Sequence, residues 1–404
     1  MTEAPTGLVG DARYPVDFES ARRQFPAALR QTYLNIGSKS VLSDAAHAAA
    51  LASIGLTWQG TDDKSSDNEA ALQQVRGKFA RLIGAASGND VAFTKNVTEG
   101  LNAVASAMAF EAGDNVVLCP ELEHPNNVYL WLALRQRGVE LRMVPARGDG
   151  IDEAAFAAAI DARTRIATVS SVTFTPGYRT DLQQISRACR RHGALFLVDA
   201  VQSAGVLDLD VQREGIDALA TSTSKGLLGL FGLGLLYVRP EWAERLTPAA
   251  IGRYSVVRGA GHQSELESFD YALLPDARRF EAGNYNWPGV AALDASLSGL
   301  LALGIARIDA HACGLAAELR EALGHAGLPV CRAPGRDRET HLVTVGHMGQ
   351  GDGYSSSDPV LNAFAARLRE AGVKFNVRRG LLRFGFHCYS DAEDVRTVLG
   401  ALRG

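Results

Sequence analysis

ALFLVDAVQSAGVLDLDVQREGIDALATSTSKGLLGLFGLGLLYV, residues 194–238, decides how this chain is read. One apolar run closes on Asp199, with Gln202 just beyond it. A second closes on Thr221, Ser222, Thr223, Ser224 and Lys225, ahead of a Gly-rich segment. Each run reads as a strand buried on both faces that delivers polar groups at its carboxyl end. Ligands of an open α/β sheet sit beyond those ends, so Asp199, Gln202, Ser222 and Lys225 are expected to face one crevice. A pyridine aldehyde suits that set: the amine of Lys225 can form a Schiff base, a carboxylate can keep a ring nitrogen protonated, and hydroxyls can bind a phosphate.

Outward from this stretch, strand and helix patterns alternate. Strands are expected at residues 114–118, 141–145 and 165–172, and helices at 67–84, 96–109, 152–162 and 181–192. Alternation of this kind implies a largely parallel sheet with helices on both faces. Residues 31–40, QTYLNIGSKS, read as a short strand and a Gly turn. Residues 241–276 read as irregular, and residues 346–359 as one flexible loop. Helices at 288–302, 312–326, 360–371 and 391–403, with strands at 341–345 and 381–386, suggest a second, smaller α+β layer.

Several function classes are disfavoured at this level. The chain has 404 residues, 47% of them hydrophobic, which is enough for one large core and a second small one. A net charge of -4 without any dense Lys/Arg run gives nucleic-acid binding no support. The five cysteines are scattered, without metal-ligand spacing or a disulfide framework, and fit reduced thiols in a cytoplasm. The first residues lack a basic stretch followed by an apolar one, so no secretory signal is expected, and residues 227–238 are too short and Gly-broken to span a membrane. Neither GxxxxGK[ST] nor GxGxxG occurs where a nucleotide-binding fold would need it.

VDAVQSAG followed by the Lys225 of STSKGLLGLFGLG, together with FTKNVTEGLN, ELEHPNN, RRFEAGNYN and LLRFGFHCYSDAEDV in that order, resembles the class V aminotransferase family over nearly the whole chain. The resemblance implies a fold-type I pyridoxal 5'-phosphate enzyme. It implies an α/β large domain over residues 36–284 with a mostly parallel seven-stranded sheet. Residues 1–35 and 285–404 would form the smaller α+β domain, and two copies would form a homodimer with shared active sites. Lys225 would carry the cofactor and Asp199 would lie under its ring nitrogen. His124 would stack on the ring and shuttle protons, and Gln202 would reach the ring oxygen. Val97, Thr98, Ser222 and Ser224 would hold the phosphate. Asn284, where relatives commonly have Thr, would reach the partner's cofactor phosphate, with Tyr285 beside it shaping the substrate pocket. Arg383 would take the substrate carboxylate, its guanidinium fork matching that group. Asn35, with Gly37 and Ser38, would touch substrate.

The branch of the family is read from departures. His124 leans towards lyases rather than transaminases. Phe174 stands where many desulfurases have an asparagine, and it reads more simply as a core aromatic at a strand end. Cys331 and Cys388 do not match the mobile cysteine loop of desulfurases. The expected reaction is therefore β-elimination from an S-substituted cysteine, with a decarboxylating or oxidative enzyme, an epimerase and a transaminase as alternatives. A fold that has kept its shape and lost its chemistry is disfavoured by the intact set of site residues.

Overall fold

The computed structural model describes residues 14–61, 65–257 and 270–402. Its larger layer is a seven-stranded sheet of β1 (Val91–Thr94), β2 (Asn115–Leu118), β3 (Glu140–Met143), β4 (Thr164–Ser170), β5 (Leu195–Asp199), β6 (Ala218–Ser222) and β7 (Gly234–Val238). The spatial order is β1-β7-β6-β5-β4-β2-β3. Only β7 runs antiparallel to its neighbours β1 and β6; the remaining pairs are parallel. In β5 every residue is buried, because successive side chains serve two different cores. Leu195 and Leu197 pack with the helix Val97–Ala107, while Phe196 and Val198 pack on the opposite face with the helix Leu182–His192. The edge strand β3, ELRM, is the exposed exception.

A three-stranded antiparallel sheet forms the smaller layer, with β10 (Leu381–Gly385) between β8 (Leu342–Val345) and β9 (Asn376–Arg378). The helices Ile305–His325, Pro359–Glu370 and Ala392–Gly400 bury Leu319, Phe364 and Val398 with the apolar side chains of that sheet. The helix Trp287–Leu303 packs on the helices Asp44–Gln59 and Ser65–Leu82. Gly304, at φ 83, then turns the chain by 80° into Ile305–His325. Among the described residues no single helix is long and apolar enough to cross a membrane.

Three segment readings need correction. Residues 31–40 are not a strand: only Tyr33 and Asn35 make single bridges, to Lys374 and Gly385, before the backbone turns at Ile36–Ser38. That segment is a strap laid against the end of β10, too short to extend its ladder. Residues 241–276 include most of the helix Pro240–Arg245, and 258–269 lie outside the described residues. The loop from residue 346 is folded on itself, with Gly351 bridging Ser356 and the Asp352 carboxylate accepting from the amides of Tyr354 and Ser355.

Candidate active site

Adjacent parallel strands β5 and β6 end side by side, and that places Asp199 beside the turn carrying Lys225. The approach is set by two glycines. A Cβ on Gly226 would lie 2.4 Å from the Ala204 carbonyl oxygen, and one on Gly205, whose φ is +88°, would lie 2.3 Å from the Gly226 oxygen. Backbone therefore meets backbone between VQSAG and SKG, a contact only glycine permits. Asp199 is buried and accepts one hydrogen bond, from the Val201 amide at 2.9 Å, through Oδ1. Burial raises its pKa, against the opposing pull of that amide and of Lys225. Burial and the nearby Arg383 push the Lys225 amine down towards neutrality, against the pull of Asp199. Among the described residues Lys225 Nζ and Asp199 Oδ2 have no hydrogen-bond partner.

Gly234 pairs with Ser222 in β6 and with Thr94 in β1, so the end of β6 and the start of the helix Val97–Ala107 meet across β7. Asn96 caps that helix by accepting from the Glu99 amide at 2.9 Å. The amides of Val97 and Thr98 keep no partner among the described residues, and they point from a helix N-terminus that favours an anion. Ser222 closes β6 and Ser224 follows on the turn beyond it. A partnerless amine, a carboxylate with one open oxygen and open helix amides beside serines fit the pyridoxal phosphate that the resemblance implies.

His124 begins the turn Pro125–Asn127 and accepts from the Asn126 amide through Nδ1 at 3.2 Å. The neutral ring therefore carries its proton on Nε2. Burial, then Lys225, Arg378, Arg383 and Arg379, lower its pKa to about 4. Beneath the turn, Glu123 is fully buried without a cation. Its carboxylate accepts from the Ser170 amide at 2.6 Å, the Ser170 hydroxyl at 2.6 Å and the Asn127 amide at 2.9 Å. Burial, then Asp199, raises the Glu123 pKa to about 7. Phe174 is not a core aromatic. It stands edge-on to His124 with ring centroids 4.8 Å apart and lies 5.4 Å from the Arg383 guanidinium carbon. Beyond β4 the chain doubles back through a bridge between Val172 and Arg179, and this carries Phe174 over the site.

The strap of residues 35–40 closes the far side. Gly37 offers its carbonyl to Gln202 Nε2 at 3.0 Å and to Arg383 Nη2 at 3.0 Å. Ser40 ties the strap to the lysine turn, its amide donating to the Ser224 carbonyl at 2.8 Å. Arg383 is 1% exposed, although the strand pattern places it facing away from the local core; it points between the two layers, towards the strap. Its Nε donates to Asn376 Oδ1 at 3.1 Å and its Nη1 to the Phe174 carbonyl at 2.8 Å. Asn376 in turn donates to Asn35 Oδ1 at 2.6 Å. Three neutral acceptors around a buried guanidinium leave its charge uncompensated, as a carboxylate site requires.

Two expected residues lie elsewhere in this chain. Asn284 is exposed and accepts from the Tyr254 hydroxyl at 3.1 Å. Tyr285 does not line the pocket around Lys225: its hydroxyl donates to Glu281, which also holds the buried Arg76, and its ring packs on Phe93, Tyr254 and Trp287. The buried ion pair anchors that ring away from the crevice. Asn376, Glu123 and the glycine pair escaped the sequence reading. ELEH offered a carboxylate next to His124, whereas nothing local singled out Asn376.

The chain matches the family model for Aminotransferase class-V over residues 39–398. A probable cysteine desulfurase of Methanothermobacter thermautotrophicus is 37% identical over 249 residues, which is 61% of this chain and 60% of that protein, less than two thirds of its length. The uncharacterized aminotransferase YcbU of Bacillus subtilis is 30% identical over 94% of this chain and 96% of its own. Among solved structures, the cystine C-S lyase C-DES in complex with its reaction product cysteine persulfide superposes with a TM-score of 0.81 at 26% identity, covering 94% of this chain and 99% of that one.

Proposed function

Because the chain belongs to the class-V aminotransferase family, we propose that it is a pyridoxal 5'-phosphate enzyme that eliminates a thiol from an S-substituted cysteine. Bound at this site, the cofactor supplies an electron sink for charge developing at the substrate α-carbon. The residues of the chain do the rest. Asp199 Oδ2 would hold the ring nitrogen protonated, and Gln202 would reach the ring oxygen. Val97, Thr98, Ser222 and Ser224 would bind the phosphate. Lys225, an amine whose pKa burial lowers, would form the covalent link and, once released, take the α-proton. Arg383 would clamp the α-carboxylate, with Asn35 placed through Asn376. Asn284, being exposed, would serve the site of a second copy.

The observation that carries the elimination reading is the orientation of the His124 ring. Its Nδ1 is committed to the Asn126 amide, so Nε2–H is the group left to donate a hydrogen bond to a departing sulfur, whose proton would come from the ammonium that Lys225 becomes on taking the α-proton. The cysteines support release of that sulfur rather than its capture. Cys119, Cys189, Cys331 and Cys388 are buried, and Cys313 donates to Asp309 at 3.1 Å. Burial raises the Cys388 thiol to about 12 and Cys331 to about 11, which keeps both poor nucleophiles.

Purified protein loaded with cofactor and given an S-alkyl cysteine is expected to release pyruvate, ammonia and the thiol in equal amounts. A keto acid that retains its sulfur substituent would show transamination instead. Given free L-cysteine instead, release of alanine with sulfur left on the protein as a persulfide would show desulfurase chemistry. Either result refutes elimination.

A further inference from the structure

We propose that Arg378 and Arg379, at the turn between β9 and β10, form a second anion-binding subsite beside Arg383, and that the substrate amino acid carries an anionic group at the end of its side chain. The inference rests on the amino-acid reading above and narrows it to a substrate class.

Register places the groups together. Arg383 on β10 lies opposite Asn376 on β9. Arg378 is two residues further along β9, and therefore on the same face of the sheet. The two guanidinium groups end at neighbouring points of the strap: Arg383 Nη2 at the Gly37 carbonyl, 3.0 Å away, and Arg378 Nη2 at the Ser38 hydroxyl, 3.4 Å away. Arg379 reaches the opposite wall, where it donates to the Glu121 carbonyl in the loop that carries His124.

Every acceptor these arginines use is neutral. The other Arg378 bonds go to the carbonyls of Gly353 at 3.3 Å and Val377 at 2.8 Å. Among the described residues no carboxylate lies within ion-pair distance of Arg378, Arg379 or Arg383. Arginines elsewhere on the same layer behave differently: Arg338 pairs with Glu153 and Asp181, and Arg332 with Glu321. The Glu121 carboxylate is turned to the Ala146 amide, 2.9 Å away. Arg379 also holds φ at 51°, in the left-handed region that favours glycine, and a long cationic side chain there is not what a plain turn would select. One α-carboxylate can satisfy Arg383. It leaves two guanidinium groups at the mouth for a second anion.

The test compares two conjugates of nearly the same shape, S-carboxymethyl-L-cysteine and its neutral isostere S-carbamoylmethyl-L-cysteine. Both are titrated against the loaded enzyme through the change in its visible absorbance. The charged conjugate is expected to bind at least about ten-fold more tightly, as one charge-assisted contact supplies. Added salt should shrink that preference. Arg378→Gln and Arg379→Asn, the second keeping a residue that tolerates the left-handed turn, should each bring the charged conjugate towards the affinity of the neutral one. Equal affinities for the wild-type chain overturn the subsite while leaving the amino-acid reading intact. A loss of equal fold on both conjugates in Arg378→Gln also overturns it, because Arg378 would then serve the α-carboxylate. If neither conjugate changes the absorbance, the amino-acid reading itself fails, and the subsite with it.

Discussion

Replacing Gly226 by alanine tests whether the Lys225 turn and the Asp199 turn are registered by direct backbone contact. The added Cβ would lie 2.4 Å from the Ala204 oxygen and 2.7 Å from Val206 Cγ2, against the 3.4 Å at which ordinary contact begins. The first of these is backbone and cannot swing aside, so the two turns must part by about 1 Å, with overpacking costing about 1–3 kcal/mol. His387 resists that parting, since its ring Nε2 holds the Gly226 carbonyl at 2.9 Å from the other side. Lys225 precedes the displaced residue, and a 1 Å misplacement in a catalytic constellation costs on the order of 100-fold in rate. The assays are urea unfolding, the visible absorbance of the cofactor-loaded protein, and turnover of an S-alkyl cysteine. A loss of stability with a large fall in turnover, at retained secondary structure, is expected. A variant with wild-type absorbance and rate would refute the idea that glycine contact sets the distance between amine and carboxylate.

Two further perturbations follow from the geometry. Asn376→Ala removes the acceptor at Arg383 Nε and the donor to Asn35, so KM is expected to rise on the order of ten-fold with kcat little changed; a fall in kcat at unchanged KM would contradict a role in carboxylate binding. His387 is buried and neutral, its pKa lowered to about 4 chiefly by burial, against about 6.5 in an unfolded chain. Between those values the unfolded state binds the extra proton, so stability is full above pH 6.5 and falls as pH drops towards 4. In His387→Phe the loss of urea resistance between pH 7 and 5 is expected to be smaller by a few kcal/mol at most, and an identical loss would assign the acid sensitivity to other groups.

The site elements that could be read in the sequence are those whose physics is local. Strands β5 and β6 announce themselves as apolar runs because both of their faces are covered, and their last residues fall at the sheet edge where polar groups collect. The helix after Asn96 carries its own cap. What stayed hidden depends on partners remote in sequence. Tyr285 sits beside Asn284 in the chain, yet its position is fixed by Glu281 and Arg76, which lie 205 residues apart. Phe174 looked like a strand-end aromatic because the reversal that carries it over His124 is made after β4 has ended. Strand β9, only three residues long, shows no period from which the orientation of Asn376 could be read. The strap of residues 31–40 has strand-like composition, but its backbone partners are single bridges, and composition does not distinguish a bridge from a ladder.

The charges of the site explain why it needs a ligand with charge at several points. Glu123 and Asp199 are buried carboxylates whose ionisation burial makes costly, and Asp199 adds to that cost for Glu123. Lys225 is driven towards neutrality, first by burial and then by Arg383, while Arg383 is held among neutral acceptors. None of these groups is at ease alone, because buried polar groups without matched partners are unfavourable. A cationic ring nitrogen over Asp199, a phosphate at the Val97 and Thr98 amides and a carboxylate at Arg383 would each relieve one of these mismatches. The same reasoning reaches Arg378 and Arg379, whose charge the cofactor and an α-carboxylate would leave unanswered. A neutral side chain on the substrate would leave them so, and an anionic one would complete the set.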